Sequence, residues 1–249
     1  VIEIRLIRLS FPITMTNCKN CGATLNGKFC AQCGQKASVS RFTLHEILHE
    51  ITHSVTHVDT NILGLTAAMT SRPGQTVRNY LEGQRKKYFN PFIYFLIMLG
   101  LQSLAFSLVH HAPLRATPEQ LEMYQMQSFV YKYIKVFFIF LLPVVALLMY
   151  LFYRRHNYAE YCVINVFIAG SISCVHILLY LLLGSSLEAD SKIMLLIQLM
   201  ISIGYTTFMM SGLYPDMKWW KVLAYQVTIT LLYWVFNIAL VTTAAGVFR

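Results

Sequence analysis

Residues 161–183 read YCVINVFIAGSISCVHILLYLLL, a run in which no side chain carries a charge. At 1.5 Å of rise per residue, an α-helix of this length spans the roughly 30 Å hydrocarbon core of a bilayer. Lipid rather than water is the expected solvent. Four more apolar stretches approach the same length, at about 91–109, 133–152 (its core broken by Pro143), 193–213 and 222–243. The sequence therefore predicts an all-α integral membrane domain over 91–249, a five-helix transmembrane bundle. Composition agrees: the chain is 56% hydrophobic and 12% charged, whereas a soluble domain carries about a quarter charged residues.

Basic residues flank these stretches unevenly. Arg78, Arg85, Lys86 and Lys87 precede the first, Arg154 and Arg155 follow the second, and Lys218 and Lys221 precede the fifth. In a five-span topology all three flanks share one side. The opposite loops, around Arg115–Glu122 and Glu188–Lys192, are balanced or acidic. The positive-inside rule then puts the N-terminus in the cytoplasm and the C-terminus outside, in a bacterial inner membrane. Tyr88, Phe89, Trp219 and Trp220 suit interfacial aromatic belts. The formal charge of +9 is accordingly read as anchoring to anionic lipid headgroups, and no nucleic-acid partner is expected. Within the spans, Asn165, His176, Gln198 and Asn237 are the polar residues that a small channel or transporter would use. None is a carboxylate, which argues against ordinary ion coupling. His176, beside Ser173 and Cys174, reads first as a hydrogen bond between helices and second as a proton or ligand site.

The first 90 residues are polar by comparison. Residues 1–14, VIEIRLIRLSFPIT, lack a cleavage site and read as an upstream extension, with Met15 the more natural start. Over 15–38 stand Cys18-Lys-Asn-Cys21-Gly22 and Cys30-Ala-Gln-Cys33-Gly34. Paired CxxC turns bring four thiolates to one tetrahedral ion, and the glycine after each pair allows the tight backbone that the turn needs. One structural zinc ion per chain is the expected cofactor. A closed shell of four cysteines leaves no open position for chemistry; rubredoxin-like iron and redox use are the lesser readings.

Residues 41–58, RFTLHEILHEITHSVTHV, open with Thr43 and Glu46 at capping-box spacing and Phe42 and Ile47 at staple spacing. The predicted helix is amphipathic, with Leu44, Ile47, Leu48, Ile51, Val55 and Val58 opposite His45, His49, His53 and His57. Two overlapping HExxH patterns could supply zinc ligands from His45, His49 and His53 with Glu46 or Glu50 as general base. No third ligand stands apart from this helix, and the four-residue histidine repeat creates the second match by itself. An interfacial helix is the plainer reading, a pH-sensing stripe an intermediate one. Asp59-Thr60-Asn61 then offers caps for a short helix to Met69.

Residues 72–92, RPGQTVRNYLEGQRKKYFNPF, complete the 41–90 region: a Pro73-Gly74 turn, a helix lying on the membrane, the phosphate-gripping Arg85, Lys86 and Lys87, and an Asn90-Pro91 cap on the first span. Together with the CxxCG pair and HSVTHVDTNILGLT, this stretch resembles a bacterial membrane family known as domain of unknown function 3667, over about residues 15–110. The resemblance implies a zinc-ribbon N-terminus, several spans, a Bacteroidota-like origin and no established activity. It singles out Arg72, Pro73, Gly74, Tyr80, Leu81, Gly83, Arg85, Tyr88 and Pro91. The RPG turn ahead of five spans is also loosely similar in layout to Yip1-type membrane proteins. The resulting expectation is a non-enzymatic docking platform for a protein at the cytoplasmic face or a membrane-organising, lipid- or small-molecule-handling component, with an HExxH-type membrane hydrolase or a small channel or transporter as alternatives.

Overall fold

The structure is a computed structural model and describes residues 17–47, 62–109, 117–118, 121, 139–187 and 191–247. His49, His53, Glu50 and the start of the second predicted span lie outside the described residues, as does the side chain of Asn237. The helices are α1 (Ile62–Ser71), α2 (Pro73–Glu82), α3 (Pro91–Val109), α4 (Ile139–Tyr153), α5 (Tyr158–Leu187), α6 (Ser191–Leu213) and α7 (Trp219–Val247). The only β pairing among the described residues is two isolated bridges in the cysteine region.

Among the described residues, three segments are long and apolar enough to cross a membrane: Pro91–Leu108, Tyr158–Leu182 and Leu196–Leu213. The described part of α4 is shorter and runs through Pro143 as continuous helix, so the expected break there is not observed. In the second of the three, 61% of residues are buried, against 28% and 22% in the others, which makes α5 the central helix. Leu104 and Leu108 of α3, Leu182 of α5 and Met200 of α6 stay exposed. Large apolar side chains on the outside of a helix bundle suit lipid contact.

Caps set where these helices begin. Asn90 Oδ1 accepts the Phe92 amide at 2.9 Å and starts α3. Asn157 and Glu160 form a reciprocal box at the start of α5: Asn157 Oδ1 accepts the Glu160 amide at 2.8 Å, and Glu160 Oε2 accepts the Asn157 amide at 3.0 Å.

The RPG stretch departs from expectation. The chain breaks at Arg72 (φ −142°, ψ 60°), while Pro73 and Gly74 are the first residues of α2 rather than a turn. Proline suits that position because its missing amide hydrogen would have no helical partner there. Nor does α2 lie free on lipid. Pro73, Gly74, Thr76, Val77 and Tyr80 are buried, because they fall on one stripe that packs chiefly against α6. A Cβ on Gly74 would sit 2.3 Å from the Gly212 carbonyl carbon, so the two backbones touch where no side chain fits. One turn on, Arg78 Nη2 donates to the carbonyls of Gly212 at 3.0 Å and Leu213 at 2.5 Å, satisfying acceptors that the end of α6 leaves open. Arg155, after α4, pairs with Asp216, after α6. The segments around Arg78, Arg155 and Asp216 therefore share one end of the bundle.

Gly74→Ala is expected to lower stability by about 1–3 kcal/mol, the usual cost of overpacking. Gly100→Ala, where a Cβ meets nothing within 4 Å, should not. Thermal unfolding of both variants in one detergent checks this; equal midpoints would contradict the close α2–α6 contact.

Candidate metal centre and its seat on the bundle

The two cysteine turns are built alike. The Gly22 amide donates to the Cys18 carbonyl at 2.8 Å and the Cys18 amide to the Ala23 carbonyl at 2.7 Å. Twelve residues later the Gly34 amide donates to Cys30 at 2.9 Å and the Cys30 amide to Gln35 at 2.8 Å. Gly22 and Gly34 have φ of +78° and +70°, left-handed values that only glycine adopts without strain. The repeated CxxCG spacing thus yields two superimposable knuckles facing each other.

Their sulfurs converge. Cys18 Sγ lies 3.6 Å from Cys33 Sγ, Cys21 Sγ lies 3.5 Å from Cys30 Sγ, and all four atoms fall within 4.8 Å of one another. These separations are too long for disulfides. A tetrahedral ion with metal–sulfur bonds of about 2.3 Å needs sulfurs about 3.8 Å apart, so the donor set fits a metal site. The thiols are also unlike one another. Amides of Cys33 and Gln32 bring Cys30 down to about 7. At Cys21 the Ala23 amide pulls down, yet burial and the three neighbouring sulfurs push the thiol up to about 12. A bound cation would favour the thiolate at Cys21, where the neighbouring sulfurs hold the proton most tightly.

The knuckles sit on the loop that follows α2. The Gln35 side chain is buried; its Nε2 donates to the Gly83 carbonyl at 2.6 Å, and its Oε1 accepts the amides of Arg85 and Lys86, each at 3.2 Å. From the other knuckle, Asn20 Oδ1 accepts the Lys87 amide at 3.0 Å. Three consecutive backbone donors of the basic stretch are thereby held by the cysteine module. Arg85, expected at lipid phosphates, donates to the Ser40 carbonyl at 2.8 Å and stacks 3.7 Å over the Phe42 ring. Phe42 in turn stacks on Tyr80, which meets Phe167 of α5 edge-on. Lys86 and Lys87 are exposed, as is Arg72.

A strap over residues 39–43 continues to α5. Arg41 reaches the buried carboxylate of Glu160 through two nitrogens, at 3.0 and 2.9 Å. Glu160 raises the Arg41 pKa further, by hydrogen bonding and by charge. His156 Nδ1 lies 3.2 Å from the same carboxylate; burial lowers the histidine's pKa although Glu160 pulls it up. Asn157 Nδ2 donates to the Phe42 carbonyl at 3.0 Å. Sequence reasoning missed Asn20, Gln35, Arg41, His156 and Glu160 as site residues. Only the N-x-x-E spacing of Asn157 and Glu160 carried a readable signal.

Among the HExxH residues, His45 is exposed, and Glu46 acts as a helix cap: it accepts the Thr43 amide at 3.2 Å and the Ser40 hydroxyl, while Thr43 Oγ1 accepts the Glu46 amide at 3.2 Å. The intramembrane polar residues have separate partners. Asn165 donates to the Leu142 carbonyl at 2.8 Å, Gln198 to the Tyr180 hydroxyl at 2.9 Å, and His176 Nδ1 lies 3.4 Å from Gln102 Nε2.

Residues 66–102 match the model of a family described as a protein of unknown function (DUF3667). This is the family that the RPG motif resembles. The DUF3667 match runs from within α1 to within α3 and includes Gly74, Arg78 and the loop that Gln35 grips. It is narrower than residues 15–110, and the four cysteines fall outside it. No curated protein and no solved structure matches the chain.

Gln35→Ala leaves the Lys86 amide without its acceptor and the Arg85 amide with the Gly83 carbonyl alone, at 2.9 Å, at a cost of about 1–3 kcal/mol. Limited trypsin digestion should then cut after Arg85, Lys86 or Lys87 several times faster than in the unsubstituted protein. Unchanged cleavage would show that the knuckle does not hold this loop.

Proposed function

We propose that this chain is a non-enzymatic, five-span protein of a bacterial inner membrane whose N-terminal zinc knuckle is a rigid docking platform at the cytoplasmic face. The observation that carries this reading is the grip of Gln35 and Asn20 on the 83–87 loop, which turns a small metal-built knob into a fixed part of the bundle's end. Zinc suits four thiolates in a reducing cytosol, and a closed shell suits structure rather than catalysis. The shared end of Arg78, Arg155 and Asp216 supports the positive-inside orientation, and outward apolar side chains on α4 and α7, such as Phe140 and Val235, support the two additional spans. Phe29, 62% exposed on the second knuckle between Lys28 and Cys30, is an aromatic anchor of the kind that a protein partner buries.

The capping role of Glu46 speaks against a hydrolase built on it, and the separate partners of Asn165 (the Leu142 carbonyl) and Gln198 (the Tyr180 hydroxyl) speak against a continuous polar path. Metal analysis of purified protein is the test. One zinc per chain, lost in Cys18→Ser, is expected; two per chain would favour the HExxH hydrolase. Site-specific crosslinking from position 29 in intact cells should trap a protein that Cys18→Ser no longer traps, and its persistence in that variant would overturn the platform reading.

A further inference from the structure

A cleft of about 290 Å3 opens where the knuckle, the 39–43 strap, α2 and the start of α5 meet. Its charged and titratable lining is Lys19, Arg41, Arg78, Glu82, His156 and Glu160, drawn from four separate parts of the chain. The volume is that of about ten waters, ample for a phosphate group and a small substituent.

The charges do not cancel within it. Glu160 is balanced in charge by its two-pronged bond with Arg41, and the Asn157 amide satisfies it further. Lys19 and Arg78 have their hydrogen bonds on carbonyl oxygens instead, Val39 for Lys19 at 3.3 Å, Gly212 and Leu213 for Arg78. A carbonyl satisfies a donor without removing a cation's charge. Among the described contacts Arg78 uses Nη2 for both carbonyls, with Asp216 acting on it by charge alone, and Arg41 uses Nε and Nη2 for Glu160, so neither uses Nη1. Glu82, exposed at the rim, is the one carboxylate there with no cation bonded to it among the described contacts.

We propose that this cleft binds a phosphate group, held by Lys19, Arg41 and Arg78. Phosphate offers its oxygens to two cations not paired with a carboxylate in the cleft, Lys19 and Arg78, and to the remaining donor edge of the Arg41–Glu160 pair, three groups from three elements. The site rests on the knuckle being seated on the bundle, as in the platform reading, but needs no protein partner. Binding would tie the knuckle, through Lys19, to α2, through Arg78, and so stiffen the junction.

The test uses the full zinc-loaded chain in detergent and phosphate-free buffer, titrated calorimetrically with inorganic phosphate and, separately, with short-chain phosphatidylglycerol. Lys19→Glu should weaken binding about tenfold and Glu82→Gln should tighten it severalfold, as expected for charges a few ångströms from an anion. Lys19→Arg keeps the charge and should keep the binding, which separates electrostatics from any disturbance of the fold. Binding of inorganic phosphate with this pattern identifies a soluble phosphate as ligand; the pattern with the lipid alone identifies a headgroup. Failure of both probes to bind at up to about 10 mM, or binding indifferent to Lys19→Glu and Glu82→Gln, overturns the proposal. One zinc per chain and a trapped partner at position 29 could still be found after that failure, so the two readings fall separately.

Discussion

The side chain of Gln35 closes a gap that the backbone leaves open at the end of α2. Gly83 ends that helix in a left-handed conformation (φ +117°), and the chain then turns through Arg85, Lys86 and Lys87 before α3 begins. Amides in such a turn need acceptors, and burial makes an unsatisfied one expensive. One amide side chain supplies an acceptor to two of them and a donor to the Gly83 carbonyl, and Asn20 supplies the next. Both residues belong to the cysteine knuckles, whose short backbone has little apolar core of its own beyond Cys18, Leu25 and Cys30. A module this small keeps its shape through its sulfur cluster, so the order of the basic loop depends on whatever holds the four thiolates together.

From that junction the remaining contacts follow in sequence. Arg85 lies over Phe42, Phe42 stacks on Tyr80, and Tyr80 meets Phe167 in the central helix. Beside this aromatic column, Arg41 and Glu160 join the strap to the start of α5, and Arg78 joins α2 to the end of α6. Breaking the Arg41–Glu160 pair from the Arg41 side would leave a buried carboxylate without its cation, a costly change, although the desolvation of Glu160 limits what the intact pair adds to stability. The DUF3667 segment lies in the middle of these contacts: α2 and the loop after it are touched by the knuckle, the strap, α5 and α6.

The sequence made some of this legible. A charge-free run announces a membrane helix whatever its neighbours, and CxxCG twice over prescribes two knuckles because glycine and sulfur spacing act locally. The Thr43–Glu46 box could be read for the same reason. What could not be read depends on distance: Arg41 and Glu160 are 119 residues apart, and Gln35 meets Gly83 across 48. The misreading of Pro73-Gly74 as a turn has a related origin. Its dipeptide fits both a turn and a helix start, and only the Gly212 backbone, which excludes any side chain at position 74, shows why a glycine stands in the first turn of α2. The expectation that Arg85 grips lipid phosphate likewise overlooked Phe42, an aromatic face 43 positions earlier.

Hydrogen exchange at the amides of Lys86 and Lys87, followed with zinc added and after treatment with a chelator, tests the dependence of the loop on the knuckle most directly. Both amides should be protected with zinc and should exchange at least about tenfold faster with chelator, while amides in the middle of α5 keep their protection. Equal protection of both amides in the two conditions would contradict the central claim that the cysteine knuckle holds the end of the bundle in place.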